Sequence, residues 1–112
     1  MTAQRTLPDA AAATIARLTT EREFQRTVLD LAHALGWRAY HTWMSARSAA
    51  GFPDLVLVRR GRIVIAELKS ERGKLTAAQA AWLADLSDCP VEVYVWRLSE
   101  WDKIRTILEG GE

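Results

Sequence analysis

The chain has a single cysteine, Cys89, so an internal disulfide and a cysteine-based zinc site are both excluded. No apolar run approaches the roughly 20 residues needed to cross a bilayer. The first residues, Met1-Thr-Ala-Gln-Arg-Thr-Leu-Pro-Asp9, lack the basic-then-apolar plan of a secretory signal. No membrane role is therefore expected, and the cytoplasm is the default location. Charge of one sign is also scarce: a formal net charge of +1 does not by itself announce a nucleic-acid binder. There is no His-Glu-x-x-His zinc motif, no glycine-rich phosphate loop, no nucleophile elbow and no internal repeat. What remains is 112 residues, 49% hydrophobic and 26% charged, enough for one globular domain with one core.

Residues 1–19 form an Ala-rich leader that reads equally as a short helix, a dimer arm or a frayed end, with the main domain spanning 20–109. Thr20-x-x-Glu23 has the form of a capping box, and Phe24, Val28, Leu31 and Leu35 give a helical apolar stripe that Gly36 ends. A strand is expected at about Arg38–Trp43, then a loop through Ser45–Gly51. Thr76-x-x-Gln79 repeats the capping signature and opens a helix with Ala80, Leu83 and Leu86 spaced for burial. Val91–Trp96 alternates as a strand, and Ser99 caps a last helix carrying Trp101, Ile104 and Leu108. Trp101, Ile104 and the leader suit either an interface or this domain's own core. The order α-β-β-β-α-β-α predicts an α/β domain, helices packed on a mixed sheet.

The most informative stretch is Gly51-Phe-Pro-Asp54, followed thirteen residues after Asp54 by Glu67-Leu-Lys69. Between them, Leu55–Ala66 reads as two β-branched arms meeting at Arg60-Gly61, a two-residue hairpin loop. Residue 59 then faces 62, and Asp54 falls directly opposite Glu67, with Cβ atoms roughly 4.5–5.5 Å apart. Lys69, two residues on, shares their face. A three-residue loop would put the acids out of register. Opposed carboxylates destabilise a hairpin unless they are neutralised. A divalent cation such as Mg²⁺ or Mn²⁺ does this, because Mg²⁺ takes one or two carboxylates plus water and phosphate oxygens. The bland alternative is a structural ion pair with Lys69.

Between Arg38 and Lys74, eight basic residues (Arg38, Arg47, Arg59, Arg60, Arg62, Lys69, Arg72 and Lys74) face only three acids, Asp54, Glu67 and Glu71. A basic middle suits a phosphate backbone gathered round a metal, although Arg59, Arg60 and Arg62 equally suit a solvated hairpin tip. Arg47, Ser48 and Lys74 are candidates for phosphate contacts, and the small residues of Ser45–Gly51 allow a DNA backbone to approach. Trp82 reads as core more than as a base-stacking platform. Of Tyr40 and His41 one faces inward, and a histidine there reads as structural.

Pro53-Asp54…Glu67-Leu-Lys69 resembles the core of the PD-(D/E)xK nucleases. The longer string resembles their VRR-NUC branch, which includes small phage and bacterial structure-specific nucleases. It runs Gly51-Phe-Pro-Asp-Leu55, Ile65-Ala-Glu-Leu-Lys69, Gly73-Lys-Leu-Thr76 and Gln79-Ala-Ala-Trp82, and the resemblance covers about residues 20–105. It implies a restriction-endonuclease-like fold. It also implies Asp54 and Glu67 as metal ligands, the Leu68 carbonyl as a third, and Gln79 in the extended site. As the capping-box residue, Gln79 has a structural reason to exist as well, and the two roles are compatible. The family's helix-one acid, implied as a further metal ligand in the catalytic site, falls to Glu21 or Glu23. Glu23 suits the capping box, whereas Glu21 lies on the edge of the buried stripe and is preferred.

Neighbouring carboxylates push a lysine's pKa upward, so Lys69 is assigned to charge stabilisation and water positioning over a simple general-base role. The expectation is a Mg²⁺- or Mn²⁺-dependent DNA endonuclease that recognises shape rather than sequence, acting as a homodimer on branched DNA such as a Holliday junction. The alternatives are a non-selective nicking nuclease, a non-catalytic nucleic-acid-binding module on the same fold, or a protein-interaction domain with an accidental motif.

Overall fold

The computed structural model describes residues 20–42 and 49–110. The leader 1–19, the expected strand end at Trp43, and Arg47 and Ser48 lie outside the described residues. The elements run α1 (Glu21–Ala34), β1 (Arg38–His41), β2 (Leu55–Arg59), β3 (Arg62–Lys69), α2 (Ala77–Ser87), β4 (Glu92–Arg97), a 3₁₀ turn (Leu98–Glu100) and α3 (Trp101–Glu109). The sheet order is β1-β2-β3-β4, antiparallel through β3 and parallel between β3 and β4. This is the mixed sheet flanked by helices, in the order the sequence predicts.

Both capping boxes form. Thr20 Oγ1 accepts the Glu23 N–H at 3.1 Å while Glu23 Oε1 accepts the Thr20 N–H at 2.9 Å. Thr76 and Gln79 do the same at 3.1 and 2.9 Å. Gly36, at φ +87°, takes the left-handed position just past α1. Three local expectations need correction. The buried line of α1 is Phe24, Val28 and Ala32, with Leu31 and Leu35 only partly covered. In α2 only Leu83 is buried, and Ala80 is exposed. Ser99 caps nothing: the chain leaves β4 through the 3₁₀ turn, α3 starts at Trp101, and the Ser99 N–H donates to Glu71 instead.

Arg60 and Gly61, at φ 49° and 81°, make the two-residue turn with both central residues left-handed, whose twist matches the flanking strands. Pairing runs from Arg59↔Arg62 to Leu55↔Ala66, so the register carries Asp54 to a position opposite Glu67. Because side chains alternate, Leu55, Leu57, Val64, Ala66 and Leu68 share one face with Trp96 of β4, against Phe24, Val28 and Ala32 of α1 and Ile104, Ile107 and Leu108 of α3. Each large aliphatic side chain buried there stabilises the fold by about 1.5–3 kcal/mol. Ile104, fully buried, belongs to this core and not to an interface. Ile65, Glu67 and Lys69 point to the other face, where α2 lies and Gln79 reaches Glu67.

The hairpin tip is not merely solvated. Arg59 donates to the Leu35 carbonyl at 2.9 Å, and Arg62 donates to the Ile107 carbonyl at 3.2 Å and grips Glu92 through two 2.6 Å bonds. Both guanidinium groups stand over the Trp37 ring, at 4.9 and 5.3 Å from its centre. Trp37 Nε1 in turn donates to the Leu108 carbonyl at 2.9 Å. Two cations thereby satisfy the carbonyl-rich C-terminal ends of α1 and α3.

Candidate active site

Asp54 and Glu67 meet where β2 begins and β3 approaches its end. The backbone around Asp54 is held from β1: the Thr42 N–H donates to the Asp54 carbonyl at 2.9 Å, and Thr42 Oγ1 donates to the Pro53 carbonyl at 2.8 Å. Asp54 Oδ2 accepts the Leu68 N–H at 2.8 Å. Glu67 is 3% exposed; its Oε2 accepts from Gln79 Nε2 at 3.0 Å and lies 3.7 Å from Lys69 Nζ. One glutamine thus caps a helix with its carbonyl oxygen and orients a buried carboxylate with its amide nitrogen.

Burial, and after it the Asp54 charge, pushes the Glu67 carboxyl up to about 7, against the opposing pull of the Lys69 ammonium. Burial also raises Asp54, although the Leu68 N–H and the interaction with Glu67 pull the other way. Two half-dehydrated acids side by side cannot both ionise cheaply, so the pair titrates as a unit. This is the electrostatic condition a cation relieves.

Glu21 and Glu23 go different ways. Glu23 is held below the usual carboxylate range by the Thr20 backbone and hydroxyl. Glu21 shares a cavity of about 550 Å³ with Asp54, Leu68, Thr42 and Gln25, and its Oε2 accepts the Ser70 N–H at 3.2 Å. It stands off the central pair: among the described residues, no three His, Cys, Asp or Glu side chains gather closely enough to hold a metal alone. The groups at hand are two carboxylates, with the Leu68 main chain lining the same cavity as Asp54, and they offer hard oxygens only. That fits Mg²⁺ or Mn²⁺, which complete their shells with water and phosphate, better than it fits zinc.

The Gly51–Asp54 turn is docked on α2. A Cβ on Gly51 would sit 2.5 Å from the Ala78 carbonyl carbon and 2.7 Å from the Gln79 nitrogen, and Gly51 has φ +88°. Its smallness therefore admits the backbone of α2, not that of DNA. Trp82 Nε1 donates to the Ala50 carbonyl at 3.1 Å, and its ring meets Phe52 edge-on at 5.0 Å. Trp82 is neither deep core nor a free stacking platform; it clamps the turn that presents Asp54. On the far side, Arg97 donates to the carbonyls of Ser70 and of Gly73, the latter at 2.8 Å, and so pins the loop from β3 to α2. Lys74 is exposed on that loop.

Sequence reasoning missed Thr42, Arg97 and the clamping role of Trp82. Thr42 fell inside the expected strand, and nothing in the sequence set any of the three apart. His41, read as structural, lines the same cavity as Asp54.

A mixed sheet that brings a buried glutamate, a half-buried aspartate and a lysine to the end of a hairpin fits a nuclease-type domain. The VRR-NUC domain family matches residues 4–100, and the chain belongs to that family. The match begins inside the leader. Comparison with curated proteins and with solved structures gives no match. Family membership makes the function nuclease-type, with DNA as substrate. No helix among the described residues is long and apolar enough to cross a membrane.

Proposed function

We propose that the protein hydrolyses DNA phosphodiester bonds as a Mg²⁺- or Mn²⁺-dependent, structure-selective endonuclease, working as a homodimer on branched DNA of the Holliday-junction type. The observation that carries this reading is the Asp54–Glu67 pair, two mutually repelling carboxylates held in register with Lys69 against one of them. Asp54, Glu67 and the Leu68 carbonyl would hold the ion, with Glu21 beside them. When bound, the ion would neutralise charge on the phosphoryl oxygens and make water acidic enough to attack at neutral pH.

The chain's own residues do the rest. Gln79 fixes the Glu67 carboxylate, and the Leu68 N–H fixes Asp54. The Lys69 ammonium, almost fully buried, stabilises the negative charge that builds on the phosphoryl group and positions the attacking water. Exposed Lys74 receives a neighbouring phosphate, together with Arg47 and Ser48. Shape selectivity is supported by how the helices are used: each described one buries residues against the domain (Phe24, Val28 and Ala32; Leu83; Ile104, Ile107 and Leu108). Their outer faces are left for the phosphate backbone, whose contacts carry position and shape rather than base sequence.

The test is cleavage of labelled four-way junction, flap, single-stranded and linear duplex DNA with Mg²⁺, Mn²⁺ or EDTA, by wild type and Asp54→Ala. Metal-dependent cutting confined to the junction and lost in the variant supports the whole reading. Equal cutting of every substrate keeps the chemistry and removes the selectivity, leaving a non-selective nicking nuclease. Salt-sensitive binding without cutting leaves a DNA-binding module. Light scattering of the free protein decides the dimer.

A further inference from the structure

The site opens along α1 rather than toward the basic hairpin tip. Arg59 and Arg62 are occupied at the ends of α1 and α3, on the other face from Glu67. A second cavity, of about 660 Å³, runs beside α1 and shares Arg22, Gln25 and His41 with the one that holds Asp54. The two adjoin across those shared side chains and together line one side of α1, a groove in two parts. Its helical wall is the stripe Arg22, Arg26, Leu29 and His33, spaced four, three and four residues apart and so aligned along one side of α1. His41 comes from β1, the strand at the sheet's open edge. Among the described residues, neither Arg22 nor Arg26 makes an ion pair. Four acids also line the groove: Asp54 and Glu21 at the site itself, Glu23, whose carboxylate is bound by Thr20, and Asp30.

We propose that this groove is the track for one strand of the substrate, with Arg22 and Arg26 binding successive phosphates as the chain leaves the Asp54–Glu67 site. The inference takes its ligand, a phosphodiester strand, from the nuclease reading above and adds the path the strand follows. Unpaired guanidinium groups four residues apart on a helix match a charged backbone passing over them, and Gln25 at the shared neck supplies a neutral hydrogen-bonding side chain. Arg47, Ser48 and Lys74 then serve other phosphates, and the α1 pair sets the strand's direction of exit.

The experiment measures binding of the full chain to fluorescent single-stranded and four-way-junction DNA in EDTA, across a salt series. It compares wild type, Arg22→Glu/Arg26→Glu, Arg22→Lys/Arg26→Lys and the control Lys103→Glu on α3, with folding checked by circular dichroism. The charge-reversed variant is expected to bind at least about tenfold more weakly, with the slope of log K against log salt reduced by roughly one to two. The lysine variant should retain most of the affinity, and Lys103→Glu all of it. Folded charge-reversed protein that keeps wild-type affinity and slope overturns the track, as does an equal loss in Lys103→Glu. Because binding is read without metal, a wild type that fails to cut counts against the nuclease reading alone. Normal binding and cutting by the charge-reversed variant counts against the groove alone.

Discussion

Replacing Glu67 by Gln should stabilise the metal-free protein while abolishing its cutting, and the gain should depend on pH. The folded state raises this carboxyl from 4.5 to about 7. Below pH 4.5 the group is protonated in both states and exerts no penalty. As pH rises toward 7 the unfolded chain ionises while the folded one resists, so stability falls. Above 7 the full penalty is present, about 3 kcal/mol. A glutamine keeps an oxygen for Gln79 Nε2 but gives Lys69, 9% exposed, a weaker partner, which returns part of the gain. The expected net is a stabilisation of about 1–2 kcal/mol near pH 8, roughly 5–10 °C in Tm, shrinking to about zero near pH 5. Urea unfolding in EDTA at both pH values measures it. Mg²⁺ at ten times its Kd should add about 1.4 kcal/mol to the wild type and much less to the variant. A variant destabilised equally at both pH values would refute the reasoning, because Glu67 would then be a satisfied structural acid.

Gly51→Ala drives a Cβ into the backbone of α2, and should lose more than about 2 kcal/mol in urea unfolding together with most cutting. Gly36→Ala has the same sign of φ but open space around it, and should lose only about 1 kcal/mol with activity kept. Thr76→Ala removes a cap and should cost about 1 kcal/mol of stability with little change in cutting rate per folded molecule. Gln79→Ala removes the same helix its reciprocal bond and also frees the Glu67 carboxylate, so single-turnover cleavage should drop alongside stability.

The parts of this protein that could be read in advance rest on short-range rules. A two-residue turn at Arg60-Gly61 fixes the register, the register puts Asp54 opposite Glu67, and period-two alternation adds Lys69 to their face. Thr20-x-x-Glu23 and Thr76-x-x-Gln79 announced the starts of α1 and α2 because a capping box is complete within four residues. The same local logic misplaced the start of α3. Ser99 has the right residue type, but Arg97 and Glu100 already close a 3₁₀ turn around it. Trp82 and Gly51 were misread for a different reason: their partners, Ala50 and Phe52 for one and the backbone of Ala78 and Gln79 for the other, lie roughly thirty residues away in sequence.

The sequence by itself therefore determined the motif: which acids face each other, which lysine shares their face, and which family the chain belongs to. Alternation and turn geometry propagate along a hairpin without help from the rest of the chain. Only the tertiary structure decided how that chemistry is held and approached. It assigned Arg59 and Arg62 to the ends of two helices, gave Thr42 and Trp82 the task of holding the Asp54 turn, and left Arg22 and Arg26 along an open groove. Each of these depends on where α1, α2 and α3 settle on the sheet. That placement is set by the summed burial of side chains far apart in sequence, which no spacing within one segment encodes.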